Sequence, residues 1–92
     1  MSKEKVKEGI YFSGNAIASL EVERLGKSIV LRVRLNQLTE GRNVQMYQTF
    51  KEGSVDFDAT FLQLRKMMLN PGGSGIICMF DEFKNRFEFL YS

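Results

Sequence analysis

From Ser28 to Leu35 the chain alternates without interruption, with Ile29, Leu31, Val33 and Leu35 on one side and Val30, Arg32 and Arg34 on the other. A period of two fits an extended strand with one face turned to an apolar core. The β-branched residues in the run favour the same pleated backbone. This one segment commits the fold to a sheet, and its flanks supply the neighbours. Upstream, Ala18, Leu20 and Val22 alternate with Ser19, Glu21 and Glu23; downstream, Val44, Met46 and Phe50 alternate with Gln45, Tyr47 and Thr49. Leu25-Gly26 reads as a tight turn, and the polar stretch from Asn36 to Gly41 as a loop. Ile10 to Phe12, closed by a turn at Ser13-Gly14-Asn15, is a further short strand. The expectation is an antiparallel meander of three to four strands.

A helical period takes over after Gly53. Phe57, Phe61, Leu64 and Met68 fall at spacings of four, three and four, which places them in one narrow stripe of a helix packed on one face of the sheet. Ser54 or Asp56 can cap its start, and Asp58 complements the positive end of the dipole. Arg65 and Lys66 suit the other end, where Asn70-Pro71-Gly72 stops the helix. Leu62 and Leu69 lie off the stripe and need a second partner.

The last segment is aromatic. Ile76-Ile77-Cys78-Met79-Phe80 is apolar on both strand faces, so cover is expected on both. Phe87, Phe89 and Tyr91 alternate with Arg86, Glu88 and Leu90, giving a C-terminal β-hairpin joined through Lys84-Asn85. The fold class is therefore α+β. Residues 1–8, dense in Lys and Glu, read as a flexible charged tail, and residues 9–92 as a single domain, since a chain of 92 residues has room for one core.

What is missing narrows the function. The chain has no His and one Cys, which removes the commonest general base and the usual zinc sites. It shows no phosphate loop, dinucleotide fingerprint or nucleophile elbow. Pro71-Gly72-Gly73-Ser74-Gly75 is glycine-rich but follows a helix instead of opening one, so it reads as a turn. Cys78, inside an apolar run, reads as a small buried hydrophobe. A non-enzymatic protein without cofactor or metal is expected. Met67 and Met79, outside the expected core positions, are left as candidates for an adaptable surface. No apolar stretch is long enough for a membrane span, no secretory signal opens the chain, and a lone Cys suits a reducing cytoplasm.

Charge is unevenly placed. Residues 24–51 hold Arg24, Lys27, Arg32, Arg34, Arg42 and Lys51 against Glu40 alone, a local charge of +5 in a chain whose net charge is +2. Pairing Val22 with Ile29 and Leu35 with Val44 keeps the apolar positions on one face. The other face then carries Arg32 opposite Tyr47 and Arg34 opposite Gln45, bordered by Glu21 and Glu23. Arginine neutralises phosphate and stacks on bases, and tyrosine offers a stacking platform. The same residues also serve an ordinary solvated face with cross-strand charge pairs.

Tyr11-Phe12-Ser13-Gly14, Ala18-Ser19-Leu20-Glu21-Val22, Gly26 to Arg34 and the helix from Phe57 to Met68 resemble, in layout, the single-strand-DNA-binding domain of the transcriptional coactivator family named positive cofactor four. The resemblance spans about residues 10–69. It implies four strands followed by a helix, a dimer, and single-stranded DNA laid across the strands. This chain departs from that layout in having fewer bases before the helix and an aromatic hairpin after it.

The leading expectation is a small binder of single-stranded nucleic acid that uses Lys27, Arg32, Arg34, Arg42, Gln45 and Tyr47. The alternative is a protein-interaction module, of the inhibitor, immunity or phage accessory kind, or a homodimer. It would act through an interface of Leu62, Leu69, Phe87, Phe89 and Tyr91.

Overall fold

A computed structural model describes residues 9–36, 45–70 and 75–91. The chain runs β1 (Ile10–Phe12), a 3-10 turn (Gly14–Ala16), β2 (Ile17–Leu25), β3 (Ser28–Leu35), β4 (Met46–Lys51), α1 (Val55–Leu69), β5 (Ile76–Asp81) and β6 (Arg86–Tyr91). These strands form two antiparallel three-stranded sheets, ordered β2-β3-β4 and β1-β5-β6. The fold is α+β. The meander has three strands because β1 leaves it and pairs with β5, Ile10 opposite Phe80 and Phe12 opposite Cys78. Gly9 permits this approach: a Cβ there would lie 2.7 Å from the Phe80 carbonyl oxygen and 3.0 Å from Met79 Cγ.

One core serves both sheets and the helix. It joins Phe12, Ile17, Leu31, Val33, Met46 and Phe50 to Leu64, Met67, Ile76, Cys78, Phe80 and Phe87. The alternation of β3 sends Leu31 and Val33 inward as expected. Val30, on the opposite face, is nonetheless only 6% exposed, in register between Glu23 and Thr49 on the central strand.

The β2–β3 turn is Gly26-Lys27, not Leu25-Gly26. Its first central residue has positive φ, +61° at Gly26, a conformation costly for leucine. Centring the turn one residue later shifts the pairing by two: Val22 faces Leu31 and Leu20 faces Val33. A shift of two preserves faces, so the inward set is unchanged. Between β3 and β4, Arg32 faces Tyr47 and Val33 faces Met46, the register expected from the alternation.

Ser54 caps α1, its Oγ accepting from the Asp56 N–H at 3.2 Å. The deepest helix residues are Leu64 and Met67, both with no exposed surface, while Phe57, Phe61 and Met68 are half-buried against the core. Met67 is therefore a core residue, contrary to the surface role its position off the stripe suggested. The stripe is rotated because the helix packs against the 3-10 turn as well as β2 and β4, in a core that residues of the second sheet share. Met79 is also buried. The cover expected on both faces of β5 is incomplete, since Ile77 on the Met79 face stays exposed. The β5–β6 connection is a four-residue turn, Glu82 to Asn85, in which Asp81 Oδ1 accepts from the N–H groups of Phe83 and Lys84 and Asn85 takes φ +50°.

Candidate functional site

The basic sheet face is largely neutralised by its own neighbours. Arg32 Nη1 donates to Glu23 Oε2 at 2.6 Å and Arg34 Nε to Glu21 Oε2 at 3.3 Å, both diagonal pairs between β3 and β2. Arg24 lies 3.7 Å from Glu52. The hairpin shift brought this about: with Arg32 directly opposite Glu21, each arginine reaches the glutamate on its diagonal. Exposed pairs of this kind stabilise by about 0–1 kcal/mol. Arg34 nevertheless keeps 69% of its side chain exposed, and Tyr47 stands half-buried beside Arg32. Lys27 is exposed at the turn and Gln45 immediately precedes β4. Arg42 lies outside the described residues.

The aromatic segment divides between core and surface. Phe87 is buried and stacks at a tilt on Phe80, ring centroids 4.9 Å apart, so it is a core residue and not an interface one. Alternation turns it inward, and the convergence of both sheets covers it. Phe89 is half-buried against the same core. Leu62 and Leu69 are exposed, as their places off the stripe require. The Tyr91 side chain lies outside the described residues. Phe83, at the hairpin tip, is the most exposed large apolar side chain among the described residues, at 88%.

Between the two sheets lies a groove of about 1430 Å³, open along one side. Its walls are β4 with the turn that follows it, and β6 with residues 84–85; the first turns of α1 line it as well. Small-molecule pockets are typically roughly 300–1,000 Å³ and largely enclosed, so this groove has the scale and shape for a polymer segment. Exposed Val55, Ala59 and Leu90 line it together with Thr49, Thr60 and Phe89. At one point the sheets are bridged: Gln48 Oε1 accepts the Phe87 N–H at 2.9 Å.

Gln48 was not among the residues expected to matter, although its signal was in the sequence. It is the polar member of the inward series Met46, Gln48, Phe50, and a polar side chain at a core-facing position needs a partner. Here the partner is the edge of the other sheet.

Burial pushes the Cys78 thiol from 9.0 up to about 12, only partly offset by a hydrogen bond with the Glu88 backbone, and it stays protonated at neutral pH. Among the described residues no cluster of acidic, His or Cys side chains could hold a metal ion, and no helix is long and apolar enough to cross a membrane. Comparison with protein families, with characterised proteins and with solved structures finds no match to the chain.

Proposed function

We propose that this chain is a non-enzymatic protein-interaction module whose contact surface is the groove between β4 and β6. The observation that carries the reading is that each sheet presents an edge strand to the same open groove. Exposed edges are templates for pairing, and proteins that do not use them usually cover or charge them. Apolar side chains left in water along the groove, Val55 at 78% exposure and Leu90 at 48%, point the same way. The pairing of Arg24, Arg32 and Arg34 with glutamates lowers the free positive charge that a polyanion would meet.

The test is capture from a lysate of the native host by the full chain and by Leu90→Asp. A protein held by the parent chain at high salt and released by the variant supports the reading. Captured proteins held equally by a folded Leu90→Asp place the contact elsewhere and overturn it.

A second reading, binding of single-stranded nucleic acid, is supported by Arg32 standing opposite Tyr47 with Arg34 exposed on the same face. It requires micromolar affinity for an unstructured oligonucleotide at low salt. The log–log salt slope should be about −0.7 per phosphate contact, and Arg32→Ala/Arg34→Ala should abolish binding. No mobility shift at low salt removes it.

A further inference from the structure

One face of α1 stays exposed, and it is ordered. Val55, Leu62 and Leu69 recur every seven residues, so they drift only ~20° per step round the helix and form one straight stripe. All three are more than half exposed, on the side of the helix away from the buried Leu64 and Met67. Single apolar residues scattered on a surface need no explanation. Three in line at a heptad spacing make the seam along which a second helix packs.

The charges beside the stripe say which helix that is. Asp58 lies four residues before Leu62 and Arg65 three after it, which puts both on one flank, roughly 40–60° round from Leu62. Both are exposed, and among the described residues neither takes part in an ion pair. The pattern is self-complementary. In an antiparallel copy turned about a two-fold axis at Leu62, Leu62 meets itself and Val55 meets Leu69, since each lies seven residues from the centre. The two-fold keeps each flank on its own side. Asp58 of one copy therefore falls beside Arg65 of the other, offset along the axis by about one residue's rise, ~1.5 Å. A parallel copy would set Asp58 against Asp58 and Arg65 against Arg65, and like charges beside a seam disfavour that orientation.

We infer that α1 is the contact surface of a homodimer, in which a second copy of this chain packs antiparallel along Val55, Leu62 and Leu69. Two symmetric Asp58–Arg65 pairs close one side of the seam. On the other side the small Ala59 lets the helices approach, and Lys66 stays in water. The inference goes beyond the groove and does not depend on it: Val55 and Ala59 border both surfaces, whereas Leu62, Arg65 and Leu69 do not line the groove. A helix of 15 residues offers about four turns of contact, little beside the roughly 800 Å² per partner of a standard stable complex. Association should accordingly be weak, with a dissociation constant on the order of 10–100 μM. Folding measured at low micromolar concentration then reads the single chain.

The experiment is sedimentation equilibrium of the full chain from about 5 to 500 μM, repeated on variants whose folding is checked by circular dichroism. The parent should pass from monomer to dimer across that range. Leu62→Glu sets two carboxylates against each other at the axis and should weaken association at least about tenfold. Asp58→Lys and Arg65→Glu should each weaken it about fivefold or more at low salt, by placing like charges side by side. Asp58→Lys/Arg65→Glu together should return it to within about twofold of the parent, because the pairs re-form with their signs exchanged. If Leu62→Glu does not fold, the charge exchange decides. A parent that stays monomeric throughout overturns the inference, as does a dimer indifferent to Leu62→Glu or a double variant no tighter than the single ones. A dimer broken by Leu90→Asp and kept by Leu62→Glu would move the contact to the groove and overturn it too. The groove reading is decided separately, by whether Leu90→Asp releases a captured partner.

Discussion

Gln48 on β4 and Phe87 on β6 belong to different sheets, and the side-chain oxygen of the first accepts the backbone N–H of the second at 2.9 Å. This bond bridges the two walls of the groove. Replacing Gln48 by Leu keeps the volume and removes the acceptor, leaving a part-buried N–H without a partner. The expected cost is about 1–3 kcal/mol in chemical denaturation, with faster amide exchange at Phe87. A change below ~0.5 kcal/mol would mean that water satisfies the amide instead.

Arg32 and Arg34 should matter little for stability. Their glutamate partners are exposed and the pairs are screened, so Arg32→Ala and Arg34→Ala should each change unfolding free energy by less than about 1 kcal/mol. Denaturant midpoints at low and high salt check this, and the difference should shrink as salt rises.

Two glycines separate conformational strain from steric conflict. At Gly26 a Cβ would meet nothing within 4 Å, so Gly26→Ala carries only the strain of positive φ, about 1–2 kcal/mol. At Gly9 the Cβ would collide with the Phe80 carbonyl oxygen. Gly9→Ala should therefore loosen β1 from β5 and speed amide exchange along β1, whereas Gly26→Ala lowers the melting temperature without local loosening.

On α1 the burial pattern sets opposite outcomes for two neighbouring positions. Met67→Ala empties a fully buried site and should cost about 2–5 kcal/mol. Leu69→Lys, at a position 72% exposed, should stay within about 0.5 kcal/mol of the parent. Denaturant midpoints of the two variants measure both.

The Cys78 thiol gives a pH signature. Its folded pKa is raised, so the thiol is neutral in folded and unfolded chains below pH 9.0 and the contribution there is constant. As pH rises past 9.0 the unfolded chain ionises while the folded one does not, and stability falls by about 1.4 kcal/mol per pH unit until the folded thiol ionises near 12. Comparison with Cys78→Ala isolates this slope from lysine and tyrosine titration. At pH 8 a thiol reagent should react only at the rate at which the native protein opens.

Periodicity made the strands and the helix legible, because Leu31, Val33 and Phe50 obey a period of two and Leu64 lies on a helical stripe whatever the detail of packing. The turn at Gly26-Lys27 was legible only through the positive φ it needs, and naming the turn one residue early set Glu21 beside Arg32, whereas Glu23 pairs with Arg32 and Glu21 with Arg34. Pairing across long sequence distance left no local trace. The departure of β1 for β5, the burial of Met67 and Met79, and the groove itself all arise where distant segments meet. Gln48 is the exception, a polar residue in an inward series that announced an unmet hydrogen bond.

The pairing of β1 with β5 has a consequence for the order of assembly. The meander and α1 involve neighbours in sequence and can form as soon as they are synthesised, but β1 must wait for a strand made long after it. Until β5 arrives, Ile10 and Phe12 have no partner strand and the core lacks a wall, so the early chain carries an apolar flap at one end. The slow step in folding should be closure of that largest loop, and substitutions in β1 should slow folding as much as they destabilise the native state.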